Sequence, residues 1–175
     1  PQHAAQAAGP AVVAVSPAST STTVGDEIVI DITAANVPEQ PGIGGYLIVL
    51  EWDAAVLTLT SISDAGWLTA KGGNILPYCD PPDIDNVAGT AAADCSPILA
   101  FGLGASPSGP LVHAVFRARA PGSTAISLEG SALKGTSESS TIDSSITGGT
   151  VTVAGSAAVA AVTDTPISQV TATAA

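Results

Sequence analysis

Positive charge is nearly missing from this chain. It carries four Lys and Arg against fifteen Asp and Glu, a formal net charge of −11. Phosphate backbones are held by clusters of basic side chains, so nucleic acid is excluded as a partner. The same deficit argues against an anionic membrane surface. Aromatic residues are only 3%, so a core must be built from aliphatic side chains. Charged residues, at 11%, fall below the usual quarter. No apolar run approaches the ~20 residues that cross a bilayer. Of the two histidines, His3 lies near one end and His113 sits inside a strand-like run. No Gly-x-Ser-x-Gly elbow surrounds any serine. Glu51 and Asp53 share a strand face, where they read as its solvated end rather than as an acid/base pair. The expectation is a non-enzyme without a cofactor.

What is present is 46% hydrophobic, rich in Ala and Val, enough for one core in 175 residues. The pattern is that of strands. Val12 to Val15 is short and β-branched. Ile28, Ile30 and Ile32 alternate with polar residues. Tyr46 to Trp52 is nearly continuous and apolar, and Val56 to Ile62 interleaves Thr and Leu. Ile98 to Leu103, Leu111 to Arg119, Ala125 to Leu128 and Thr150 to Val153 complete the set. Gly, Pro and Asp punctuate these runs, which predicts an all-β antiparallel sandwich. Its expected core is Ile28, Ile30, Ile32, Ile48, Leu50, Leu57, Leu59, Phe116, Ile126 and Leu128. No convincing helix is found, and Gly66 to Pro97 is long with scattered Gly and Pro; within it, Gly72 to Pro97 reads as an insertion with too few apolar residues to order itself.

The two cysteines, Cys79 and Cys95, fall inside that insertion. In an oxidising compartment they read as a disulfide closing a loop of about 15 residues. Asp80, Asp83, Asp85 and Asp94 gather nearby. A solvated acidic loop is the favoured reading of them, with calcium the alternative, since hard oxygen ligands suit that ion but the spacing is not that of an EF-hand. Trp67 and Tyr78 are candidates for stacking on a sugar, with local packing as the default. Thr136 to Thr147 has the composition of either a loop or an O-glycosylated stretch.

The order of several blocks resembles the cohesin family and its related carbohydrate-binding sandwiches. These are Val24-Gly25-Asp26-Glu27, Ala35-Asn36-Val37-Pro38, Gly42-Ile43-Gly44-Gly45-Tyr46, Leu50-Glu51-Trp52-Asp53, and Val115-Phe116-Arg117-Ala118 before Ala120-Pro121-Gly122. The resemblance covers about residues 11–154. It implies a jelly-roll β-sandwich of about nine strands, in an extracellular, non-catalytic module of a kind that often binds a dockerin. The chain departs from the pattern in its cysteine-bearing insertion and its tail.

Three regions are therefore expected: an N-terminal segment 1–10, the sandwich 11–154, and a C-terminal extension 155–175. The start Pro1-Gln2-His3, without Met, reads as a mature chain after signal-peptide removal, placed outside the cell or on its surface. The extension is Ala, Ser, Thr and Val with almost no charge, and such tails fray unless held. It is read as a donor strand in a filament assembled head to tail, with Ala157, Val159, Ala161, Val162, Ile167, Gln169, Val170 and Thr171 as the pairing candidates. The expected partner is then another copy of the chain. The alternative is a cohesin-like module that binds a dockerin or a polysaccharide.

Overall fold

Alternation sets which face of each strand is buried. The structure, a computed structural model, describes residues 9–72, 75–100, 104–136 and 140–156, without the side chains of 71, 72, 75–77 and 98–100. Its elements in order are β1 (Ala11–Ser16), β2 (Ser19–Thr23), β3 (Glu27–Ala35), β4 (Gly45–Glu51), β5 (Leu57–Asp64), α1 (Trp67–Gly72), β6 (Ile75–Cys79), β7 (Asp83–Asp85) and β8 (Thr90–Ala100). They continue with β9 (Gly109–Ala118), β10 (Gly122–Ile126), β11 (Ala132–Lys134), β12 (Thr141–Ile142), β13 (Ser144–Thr147) and β14 (Gly149–Ala154).

One sheet runs β13-β1-β3-β9-β5. The facing sheet runs β12-β11-β4-β8-β6, with β7 also paired to β8. A small sheet, β10-β14-β2, closes one flank. Main-chain bonds between Glu51 and Ser127 tie that flank to β4. The result is an open all-β sandwich, as the alternation predicts.

The core sits between the two large sheets. Ile30 and Ile32 of β3, Ala114 and Phe116 of β9, and Leu57 and Leu59 of β5 point in from one side. Tyr46, Ile48 and Leu50 of β4 meet them from the other. Trp52 stands edge-on to Phe116 at 5.3 Å, and its indole N–H donates to the Leu57 carbonyl at 3.1 Å. Ile48, Ile126 and Leu128 are buried as expected, whereas Ile28 is only partly buried at the rim.

Several expectations need correction. Two pairings are parallel, β1 with β13 and β14 with β2, where only antiparallel ones were expected. The sandwich holds fourteen strand segments among the described residues rather than about nine. The insertion holds β6, β7 and most of β8, and a short helix, α1, leads into it. The strand expected at Ile98 to Leu103 is the end of β8, which starts at Thr90; residues 101–103 lie outside the described ones. The Ala-rich half of β8 pairs in full with β4, setting Ala91 and Ala93 beside Leu50 and Ile48. Ala91 is buried there.

Candidate binding surface

β6 and β7 act as one interrupted edge strand along β8. Cys79 pairs with Cys95, Asp80 N–H donates to the Asp94 carbonyl at 3.0 Å, and Asp83 pairs with Ala92. Pro81 and Pro82 fill the interruption. The Cys79–Cys95 disulfide lies directly across this pair, so the insertion is pinned to the sheet.

Cross-strand partners point to the same face, which builds the outer surface of this sheet in rows. Ala132, Leu47 and Asp94 form one row. Val49, Ala92 and Asp83 form the next, and Glu51, Thr90 and Asp85 the third. Tyr78 lies beside Ser96 at one end and is 54% exposed. A hollow of about 150 Å³ opens over Ala92, between Val49 and Asp83 and Asp85. The patch therefore has a small apolar centre and a carboxylate rim. Lys134 crosses the face to bond Asp94, and donates to the Ser96 hydroxyl at 2.8 Å.

The adjoining turn is rigid. The Asp85 carboxylate accepts the N–H groups of Val87 at 2.8 Å and Ala88 at 2.9 Å. These bonds hold its carboxyl below the usual range, the Ala88 bond most. Gly89 has φ +76°, and a Cβ there would lie 2.2 Å from the Trp52 carbonyl oxygen, so position 89 admits no side chain. Val87, almost fully exposed, projects from it.

A second feature is a cleft of about 280 Å³ at the open side of the sandwich. Tyr46, Ala93 and Cys95 form its floor. β5 supplies one wall through Ile62, Ser63 and Asp64, and Cys79 to Pro82 supply the other. The Tyr46 hydroxyl donates to Asp64 Oδ1 at 2.7 Å. Burial first, then that bond and the nearby charges of Asp64 and Asp94, push the phenol well above its ordinary value.

The sequence-predicted site residues separate. Asp80, Asp83, Asp85 and Asp94 do not converge: among the described residues, the one group of three ligand-type side chains within 4.8 Å is Asp64, Cys79 and Cys95. Its two sulfurs are consumed by the disulfide. Trp67 is 6% exposed, and its ring packs against Gly109, where a Cβ would come within 2.4 Å. It is a core residue and offers no face to a sugar. Tyr78 remains accessible. Ala157, Val159, Ala161, Val162, Ile167, Gln169, Val170 and Thr171 all lie outside the described residues.

On the opposite sheet, His113 Nδ1 meets Asp31 Oδ1 at 2.6 Å, both side chains about two-fifths exposed. Ser63 is the next cross-strand neighbour of His113. This Asp-His-Ser row lies on an open sheet face whose amides serve the ladder.

No family model matches this chain, and no curated protein matches it. Solved structures do. A non-cellulosomal cohesin from the hyperthermophilic archaeon Archaeoglobus fulgidus superposes with TM-score 0.62 at 16% identity, covering 83% of this chain and 92% of that one. A cohesin in a type I cohesin–dockerin complex from Clostridium thermocellum gives 0.64 at 14%, covering 83% and 100%. A type II cohesin domain from the cellulosome of Acetivibrio cellulolyticus gives 0.61 at 16%, covering 82% and 95%. The fold of this chain is cohesin-like.

Proposed function

We propose that this chain is a non-catalytic, extracellular cohesin-like module that binds a protein partner of the dockerin kind. The observation that carries the reading is the outer face of the β4–β8 sheet. It joins a half-buried apolar centre, exposed Tyr78 and a rim of carboxylates on a backbone whose solved counterparts include cohesins in complex with dockerins. Interfaces of this type combine a desolvated centre with a polar rim. The disulfide suits an oxidising compartment, and no helix among the described residues is long and apolar enough to cross a membrane.

The test is titration against a panel of dockerin modules by calorimetry. Binding is expected for at least one, abolished by Val49→Arg or Ala92→Arg and kept by Val29→Arg on the opposite sheet. Absence of binding across the panel, or equal sensitivity at Val29, overturns the reading. A polysaccharide ligand would instead give retention on insoluble glycan that Tyr78→Ala removes.

A second reading keeps the filament. One observation favours it: among the described residues, β2 is an open sheet edge of five consecutive Ser and Thr residues. Unpaired edges accept strands through the main chain whatever the side chains. Electron microscopy of the full chain beside a version ending at Ser156 decides it. Fibres in the first and none in the second would put this reading ahead.

A further inference from the structure

The ladder register writes the outer face of the β3–β9 pair in three rows. Glu27 lies opposite Arg117, Val29 opposite Val115, and Asp31 opposite His113. The neighbouring strands extend these rows with short side chains only: Thr58 beside Arg117, Ser61 beside Val115, and Ser63 and Ser16 at the two ends of the Asp31–His113 row. Nothing tall on the flanks holds a second sheet away. Val29, at the centre, is 57% exposed, and Val115 beside it is half-buried.

Charge on this face is sorted by strand. β3 presents Glu27 and Asp31, and β9 presents Arg117 and His113. A partner of uniform charge is repelled by one of the two strands whichever sign it carries. A second copy is not. A two-fold axis parallel to the strands, midway between β3 and β9, lays each β3 over the other copy's β9. Glu27 then meets Arg117, Val29 meets Val115 and Asp31 meets His113, each contact made twice. An axis across the strands would instead set β3 on β3 and carboxylate on carboxylate, so charge selects the first arrangement. Among the described residues Glu27 and Arg117 form no ion pair within one copy, and His113 uses only Nδ1 on Asp31. The five strands, about 4.8 Å apart, with β3 nine residues long at ~3.4 Å each, span roughly 24 by 30 Å. That is ~700 Å² a side, near the ~800 Å² of a standard interface.

We propose that this face pairs two copies of the chain, sheet on sheet, about that axis. The outer face of the β4–β8 sheet points the other way and stays open in such a dimer, so dimerisation and the capture of a dockerin can fail separately.

The full chain is followed by sedimentation velocity from about 1 to about 500 µM at about 0.15 M salt, where repulsion between two chains of net charge −11 is screened beyond ~8 Å. A monomer–dimer equilibrium is expected. Arg117→Glu and Glu27→Arg should each weaken it by about tenfold or more, since each sets two like-charge contacts across the axis. Mixing these two variants should restore association as a heterodimer, and the Glu27→Arg, Arg117→Glu double variant should dimerise alone, outcomes that misfolding cannot give. Val29→Arg, at the centre, should leave a monomer. A parent chain that stays monomeric throughout, an assembly indifferent to both charge reversals, or no recovery in the mixture overturns the proposal.

Discussion

Asn86 and Leu59 are joined by two hydrogen bonds that imitate a neighbouring strand. The Leu59 N–H donates to Asn86 Oδ1 at 2.8 Å, and Asn86 Nδ2 donates to the Leu59 carbonyl at 3.0 Å. The β5 edge is closed at that point by one side chain from the β7–β8 turn. Asn86→Ala should strand both part-buried backbone groups at a cost of about 1–3 kcal/mol. Asn86→Asp keeps the acceptor and loses the donor, so it should fall between. Urea denaturation measures the difference, and light scattering at high concentration should show the alanine variant associating through its bared edge. Equal midpoints for all three proteins would mean that the pair contributes nothing.

The disulfide should be the main staple of the insertion. Bridging Cys79 and Cys95, 16 positions apart, restricts the unfolded chain, an effect worth about 3 kcal/mol for a loop of this size. The Cys79→Ser, Cys95→Ser double variant should keep the sandwich, because the core residues of β3, β4, β5 and β9 lie outside the loop that the bridge closes. Its melting temperature should fall, and proteolysis should cut first near Pro81-Pro82. Unchanged melting would show that β6 and β7 are held by pairing alone.

Those two relationships also mark where the sequence stops being readable. Ile30, Ile32, Leu57, Leu59 and Phe116 announce themselves, since alternation with polar neighbours reports a half-buried strand directly. Ser19 to Thr23 carries no such signal: its side chains are uniformly small and polar, and parallel pairing with β14 alone makes it a strand. Ala91 and Ala93 are silent for a related reason, as their burial depends on the large residues of β4 across the ladder. For Trp67 the default reading of local packing is the one the structure gives, its ring lying against Gly109. The closeness of Cys79 and Cys95 was legible from compartment and spacing. The cleft they border was not, because Asp64 reaches it from the opposite sheet.

Acid sensitivity should be concentrated in two turn aspartates. Asp26 is held below its ordinary 3.8 by the Thr23 hydroxyl and N–H, and Asp85 by the N–H groups of Ala88 and Val87. Depressed folded-state values mean that the stabilisation is complete above the ordinary value and is lost as pH falls through the lower one. The Asp26→Asn, Asp85→Asn variant should be less stable than the parent at pH 7, with a gap that closes as pH falls below the ordinary 3.8. Both carboxylates are fully exposed, so the effect is modest and best read from denaturant midpoints. A gap that stays constant down to pH 2 would assign the loss to something other than ionisation.

At the alkaline end the sign reverses and a single phenol dominates. Tyr46 is fully buried and bonded to Asp64, and burial together with the Asp64 and Asp94 carboxylates raises it far above its ordinary 10.0. A raised folded-state value means that the neutral phenol contributes its full stabilisation below about pH 10, the unfolded value, and that this is lost as pH rises beyond it. Tyr46→Phe removes a hydrogen bond to a carboxylate that retains solvent access, so near neutrality it should cost only about 1 kcal/mol. Above pH 10 the parent must lose stability by this route while the phenylalanine variant cannot. The two stability curves should therefore converge and cross. Absorbance at 295 nm offers an independent reading, since the chain has two tyrosines. In the folded parent the Tyr46 phenol should stay un-ionised until unfolding releases it. Ionisation of both phenols while the fold is still intact would show that the floor of the cleft admits hydroxide, and with it that Asp64 and Tyr46 do not seal the gap between the two sheets.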